Sequence, residues 1–287
     1  MESKDINKAI DKLDSEIKEI NDYKDILQSL QSYEGVDKVI SSKEAKEILE
    51  ADKKSNSPRI MTSIPSLDKM TEGFREGQLI VVSAPTGNGK TTLCQTFTHR
   101  FWEKEIPCLW FSYEVGLEEF LEKFGETIPS FFLPAQLKQN SLVWLETRIL
   151  ESMAKYNCKV VFIDHLHYLL EMQKMAEAKS ISLLVGMMMR ELKKMAVNHN
   201  LTIFLVSHMR KLMYDKLPEL DDLRDSSFIA QESDLVLFLK RKKDGDIYTN
   251  NATLRVSKNR RNGKLGDIKL SLTNGQFQEL DTHYEQN

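Results

Sequence analysis

The chain has 287 residues, with 40 Lys and Arg against 43 Asp and Glu, a formal charge of −3. At 41% hydrophobic and 29% charged residues it has the composition of a globular α/β core plus an appendage; a disordered or collagen-like chain is excluded, and bulk charge points to no partner. No run of about 18 apolar residues occurs, and the polar start Met1-Glu2-Ser3-Lys4-Asp5 does not read as a secretory signal, so a cytoplasmic protein with no membrane partner is expected.

In chain order, Ile6, Ile10, Leu13, Ile17, Ile20, Leu27 and Leu30 follow spacings of three and four, broken where Lys24 takes a seam position, and predict one amphipathic helix over residues 1–33. Glu34-Gly35-Val36-Asp37 interrupts it. Ser41 followed by Glu44 has capping-box spacing and opens a second, charged helix running to about Lys54. Ser55-Asn56-Ser57-Pro58 is a linker, so residues 1–58 are expected to be a helical segment and residues 59–287 the core. The helices either pack on each other or dock on a neighbouring subunit; periodicity leaves both open.

Beyond the linker, apolar or β-branched runs at residues 79–84, 107–113, 160–163, 202–207 and 234–240 alternate with helix-length segments. The early runs lack polar alternation, as strands covered on both faces do, and predict an α/β fold with a mostly parallel sheet. Runs at 252–257 and 267–272 flank the turn pair Asn262-Gly263, so the sheet is expected to finish antiparallel. Met187, Met188, Met189, Leu192 and Met195 read as a core helix face, and Lys240-Arg241-Lys242-Lys243 as a solvated strand edge before a turn at Asp244-Gly245. Cys94, Cys108 and Cys158 are odd in number and lack CxxC spacing, which fits reduced thiols.

Directly after the first strand comes Ala84-Pro85-Thr86-Gly87-Asn88-Gly89-Lys90-Thr91-Thr92, a phosphate-loop sequence with Ala for its first Gly, opening a helix over 92–101. Gly87 and Gly89 let backbone N–H groups turn toward a phosphate, Lys90 reaches the β and γ oxygens, and the Thr91 hydroxyl suits Mg²⁺. The bland alternative is a Gly-rich turn with an exposed Lys. Val160-Val161-Phe162-Ile163-Asp164 ends an apolar strand in one carboxylate, a second candidate metal ligand; a helix cap is the alternative. Glu114 closes the run 107–113, and a carboxylate on a strand beside the phosphate loop can take a proton from an attacking water. Alternatively it begins an acidic helix with Glu118, Glu119 and Glu122. His165 and His167 share an HxH spacing without a third ligand nearby in sequence and are read as structural.

Together these segments resemble the RecA-like core of DnaB-type replicative helicases over about residues 59–281. The likeness rests on Thr62-Ser63-Ile64-Pro65-Ser66-Leu67-Asp68-Lys69-Met70-Thr71-Glu72-Gly73, the phosphate loop, Phe111-Ser112-Tyr113-Glu114, Asp164-His165-Leu166, and Asp222-Leu223-Arg224-Asp225-Ser226 with Ile229, Gln231 and Asp234. The resemblance implies a P-loop NTPase using ATP and Mg²⁺, a homo-oligomeric, hexameric ring, single-stranded DNA as partner, and a bacterial, phage-infected or organellar replication site. It makes Glu114 the catalytic glutamate and His208 the γ-phosphate sensor, the His being similar to the phage T7 and Twinkle branch. Lys258-Asn259-Arg260-Arg261-Asn262-Gly263 also looks like that branch, with Arg260 as a finger reaching the neighbour's γ-phosphate and Lys258 assisting; a solvated basic turn is the alternative. The family's channel loops correspond to about residues 171–180 and 209–221, the second bearing Arg210, Lys211 and Lys216 as DNA contacts. The front is shorter than the N-terminal domain of bacterial relatives and has no zinc ribbon or primase fold, so residues 1–54 are expected to link subunits or receive a replication partner. Two rivals stay open: a RecA- or KaiC-like ATPase that does not unwind, and an accessory module that uses nucleotide as a switch and recruits a polymerase or helicase.

Overall fold

A computed structural model describes residues 2–35, 38–54, 59–137, 141–165, 181–209, 216–223 and 226–280. The chain divides into two units, Met1–Ser57 and Pro58–Asn287. The first holds α1 (Glu2–Gln31) and α2 (Ser42–Lys54). Ser41 and Glu44 form the expected capping box: the Glu44 N–H donates to Ser41 Oγ at 3.1 Å and the Ser41 N–H to Glu44 Oε2 at 2.8 Å. Tyr23, Ile26, Leu27 and Leu30 of α1 are exposed, so the two helices do not bury them in a core of their own. Among the described residues no helix is long and apolar enough to cross a membrane.

The second unit runs α3 (Pro65–Thr71), β1 (Leu79–Ala84), α4 (Lys90–Trp102), β2 (Cys108–Ser112), α5 (Leu117–Glu122), α6 (Leu142–Tyr156), β3 (Val160–Asp164), α7 (Ile181–Asn198), β4 (Thr202–His208), α8 (Ser226–Glu232), β5 (Leu235–Asp244), β6 (Ile247–Asn259), β7 (Gly266–Thr273) and β8 (Gln276–Glu279). The sheet order is β2-β3-β4-β1-β5-β6-β7-β8. Strands β2 to β5 in that order are parallel, and β6, β7 and β8 add on antiparallel. Strand β1 is buried throughout. Its Ile80, Val82 and Ala84 face a core with Leu93, Phe97 and Phe101 of α4, while Leu79 and Val81 face one with Leu145 and Ile149 of α6 and Met189 and Leu192 of α7. The period-2 alternation of a strand splits a continuous apolar run between two helical layers.

One row of side chains sets the register. Trp110, Phe162, Phe204 and Ile80 are direct partners across β2, β3, β4 and β1. Trp110 stacks on Phe162 with centroids 4.5 Å apart, Phe162 stacks on Phe204 at 4.7 Å, and Phe74 meets Phe204 edge to face at 5.0 Å. The Trp110 indole N–H is satisfied by Thr98 Oγ1 at 2.9 Å.

Several expectations need correction. Strand β2 lies at the sheet edge, with β3 and β4 between it and β1, so Glu114 is not on the strand beside the phosphate loop. Helix α4 begins at Lys90, two residues before the expected start. Strand β5 extends through the basic run to Asp244, and β6 starts at Ile247 rather than at 252, because the two pair as one long hairpin instead of ending at a solvated edge. Met187 is exposed while Met188, Met189, Leu192 and Met195 are buried, since three consecutive residues cannot share one side of a 3.6-residue helix. The three cysteines are free thiols, all buried.

Phe204 packs against four aromatic rings at the centre of this row. Phe204→Ala is therefore expected to lower unfolding stability by about 3–5 kcal/mol, measured by urea denaturation; a loss below about 1 kcal/mol would mean that the row does not hold the sheet.

Candidate functional site

The carboxyl ends of β1, β3 and β4, with the segment following β2, converge on one edge of the sheet. In register, Ala84 pairs with His208, Asp164 with Val206, and Ser112 with Asp164, so the first residue of the phosphate loop, the strand-end carboxylate and the strand-end histidine stand at one level. The chain leaving β2 turns over β3, where the Tyr113 N–H donates to the Asp164 carbonyl at 2.7 Å. That turn, rather than strand adjacency, brings Glu114 to the site.

The loop has the backbone its glycines require. Gly87 and Gly89 have φ of +78° and +90°, the region that side chains rarely adopt. A Cβ would also meet Tyr248 at 3.2 Å from Gly87 and Phe277 at 3.2 Å from Gly89. Lys90 opens α4, is buried, and donates to the Ala84 carbonyl at 3.3 Å, folding back over the loop. Burial holds its ammonium below the ordinary lysine pKa, with Glu114 and Asp164 opposing the shift. The first-turn N–H groups of α4 lack intrahelical acceptors and, with the helix dipole, favour an anion at this end. Ala84, Pro85, Thr86, Gly87, Asn88, Gly89, Lys90, Thr91 and Thr92 thus form one continuous cradle.

Thr91 Oγ1 donates to Asp164 Oδ2 at 2.6 Å, and Asp164 Oδ1 is buried with no hydrogen-bond partner. A hydroxyl beside an orphaned carboxylate oxygen is a hard oxygen pair that fits Mg²⁺, which keeps several waters and takes few protein ligands. Burial pushes the Asp164 carboxyl up to about 6; the Thr91 hydrogen bond opposes this and the Glu114 charge adds to it. Glu114, His165 and His208 form a second group, each offering a ligand atom within 4.8 Å of the others. His165 Nδ1 lies 3.6 Å from Glu114 Oε2, and the two imidazoles meet edge to face at 4.1 Å. His165 was expected to be structural for want of a third ligand in sequence; the ends of β2 and β4 supply its neighbours. His167 lies outside the described residues.

Arg260 occupies the opposite end of the sheet. It follows β6 where β1 and β5 begin: its N–H donates to the Asp234 carbonyl at 2.8 Å and its guanidinium lies 3.5 Å from Asp234 Oδ1. Asp234 also accepts from the Leu79 N–H at 2.8 Å and from Lys193 at 2.6 Å. With β1 about 16 Å long, Arg260 is out of reach of its own phosphate loop. Of the turn's other basic residues, Arg261 and Lys264 are held by Glu72 at 3.1 and 3.3 Å, whereas the Arg260 side chain is 55% exposed. Lys258 caps the end of α8, donating to the carbonyls of Ala230, Gln231 and Ser233, and burial holds its ammonium below the ordinary value.

The family described as DnaB-like helicase C terminal domain matches residues 59–127 and 132–281. The chain belongs to that family. It is 29% identical over 220 residues to the replicative DNA helicase DnaB of Mycoplasma pneumoniae, covering 63% of this chain and 46% of that protein. To the replicative DNA helicase DnaB of Pasteurella multocida it is 25% identical over 269 residues, covering 79% of this chain and 56% of that one. The chain thus spans about half the length of the curated relatives it matches. A solved structure of an isolated ATPase domain superposes with a TM-score of 0.71 at 21% identity, over 84% of this chain and 99% of that one. A DnaB-like replicative helicase solved in a study of its interactions with primase gives 0.67 at 20% identity, over 96% and 76%. The α/β fold is therefore that of the DnaB-like ATPase core. The further likeness to the phage T7 and Twinkle branch rests on His208, Lys258 and Arg260 alone.

Within this DnaB-like core, Arg210 and Lys211, and residues 171–180 of the first expected channel loop, lie outside the described residues. Lys216 is described: its ammonium is 3.3 Å from Asp222. Sequence reasoning missed the residues that brace the loop. Asn88 is buried; its Oδ1 accepts the Arg241 N–H at 2.8 Å and its amide donates to Tyr248 Oη at 3.2 Å, while Tyr248 donates to the Thr86 carbonyl at 3.1 Å. Phe277, from β8, is fully buried against Gly89.

The raised pKa of Asp164 carries a measurable consequence. The neutral acid suits its buried position better than the carboxylate, so ionisation works against folding of the metal-free protein by up to about 3 kcal/mol at neutral pH. That penalty is absent below the unfolded-state value near 4 and grows until the pH has passed through about 6. Asp164→Asn, which keeps an acceptor for Thr91, is expected to raise the urea midpoint of EDTA-treated protein at about pH 7.5, with a gain that fades by about pH 4.5. A variant less stable than the parent at neutral pH would contradict this electrostatic account.

Proposed function

We propose that this chain is the ATP-hydrolysing motor of a ring-forming DNA helicase that moves on single-stranded DNA during replication, working in the cytoplasm or another replication compartment. One observation carries the reading: the phosphate loop, Asp164, Glu114 and His208 stand together at one sheet edge, while Arg260 stands exposed at the other, too far to serve its own nucleotide. Half of an active site is thus presented at each end of one subunit, which suits copies arranged head to tail.

The chain's own groups then divide the chemistry. The loop's N–H groups and Lys90 bind the phosphates and spread charge away from the γ-phosphoryl group. Thr91 and Asp164 would hold Mg²⁺, which neutralises charge on the β and γ oxygens as phosphoryl transfer proceeds. Glu114, partly exposed, orients a water in line with the γ-phosphate and accepts its proton. His208, on the strand beside β1, hydrogen-bonds the terminal phosphate and responds to its departure; it is followed directly by the segment bearing Arg210, Lys211 and Lys216, which would contact the DNA backbone. Arg260 supplies positive charge to the neighbour's transition state, with Lys258 setting the turn by holding the end of α8. Residues 1–54, with their exposed apolar side chains on α1, are suited to cover a neighbouring subunit or a replication partner.

The test is ATP hydrolysis and forked-duplex unwinding by the purified chain beside Lys90→Ala, Glu114→Gln and Arg260→Ala. Each variant is expected to lose at least about 10²-fold in turnover, with Arg260→Ala still binding nucleotide and assembling. Mixing Arg260→Ala with Lys90→Ala should restore part of the rate, because intact loops then meet intact fingers. Normal hydrolysis by Arg260→Ala, or full-speed turnover by a monomer indifferent to DNA, would defeat the reading.

A further inference from the structure

The ends of β2, β3 and β4 assemble a donor set of a different chemical character from the Thr91 and Asp164 oxygens. Glu114, His165 and His208 each present one ligand atom, all within 4.8 Å of one another. His165 is buried, His208 half-buried and Glu114 exposed, so two imidazoles are held by the sheet while the carboxylate is able to swing. Two histidines and one carboxylate are the protein ligands of open zinc sites, whose fourth position is left to water or a substrate oxygen. Mg²⁺ prefers oxygen ligands, whereas imidazole suits Zn²⁺, Co²⁺ and Ni²⁺. Bonds of about 2.0–2.2 Å to a shared tetrahedral ion put donor atoms about 3.4 Å apart. His165 Nδ1 and Glu114 Oε2 already stand 3.6 Å apart, so closure around an ion asks for little more than rotation of exposed or half-buried side chains.

We propose that Glu114, His165 and His208 form a second metal site, selective for a borderline transition-metal ion with Zn²⁺ as the best fit, and that its occupation silences the site by engaging the carboxylate and the strand-end imidazole. The site is separate from the hard oxygen pair, so excess Mg²⁺ does not compete for it. Binding of the ion does not depend on whether the chain hydrolyses ATP; only the silencing does.

The experiment uses the full chain, stripped with EDTA and dialysed into excess Mg²⁺, with Co²⁺ as a visible probe. One Co²⁺ per chain is expected, with the d–d absorption of a four- or five-coordinate site, bleached when Zn²⁺ replaces it. His165→Ala and His208→Ala should each weaken Co²⁺ binding more than tenfold. His165→Gln and His208→Asn serve if the alanine variants fail to fold, as judged by circular dichroism. No such band in the parent chain, or a band of undiminished affinity in both folded histidine variants, overturns the site. A band that behaves as expected, with ATP turnover unaffected by stoichiometric Zn²⁺ in the active enzyme, overturns the silencing and leaves the site.

Discussion

The register of four parallel strands is the constraint on which the rest depends. Trp110, Phe162, Phe204 and Ile80 lie side by side across the sheet, and because side chains alternate with period 2, slipping one strand by a single residue would drive a large ring to the wrong face. The same row, a few residues further along each strand, fixes which residues end level at the catalytic edge. Asp164 meets Thr91 at 2.6 Å only because β3 is locked to its neighbours at Phe162. Core packing and chemistry are two ends of one register.

The phosphate loop shows how a strained segment is kept in place from outside. Its two left-handed glycines leave the backbone no side chains with which to hold itself, and the antiparallel strands supply the missing contacts: the Tyr248 ring over Gly87, Phe277 under Gly89, and the Arg241 N–H on Asn88. The Arg241 guanidinium lies 5.4 Å from the Tyr248 ring centroid and donates to the Thr249 carbonyl, so the hairpin that braces the loop is itself pinned. Burying Lys90 and Asp164 together disfavours both charges, a tension that a nucleotide with its cation is suited to relieve.

What the sequence discloses follows from how local each signal is. The phosphate loop, Asp164 and His208 are legible because each closes an apolar run, and a parallel sheet collects strand ends at one edge. Glu114 is legible as a strand-end carboxylate, but the order of strands is not, since it depends on which gap each crossover fills. Phe277 acts from a four-residue strand whose landing place is set by the hairpins before it, and Tyr248 from a stretch whose composition reads as a turn, so neither announces itself. His165 gains its neighbours only when three distant strands come together. The basic run 240–243 misleads for a similar reason: its charges suggest an edge, yet the backbone there is paired with β6.

Strand β6 has a further consequence. It begins beside the phosphate loop at Tyr248 and ends at Asn259, next to Arg260, so thirteen hydrogen-bonded residues span about 40 Å between the two places. A backbone tied to neighbours on both sides over much of its length behaves as a beam: a shove at the tyrosine end tilts the arginine end, with the irregular pairing near Val236 and Arg241 as its points of give. In an assembly where that arginine serves the adjacent copy, the beat passed from one copy to the next is set by the stiffness of a single strand.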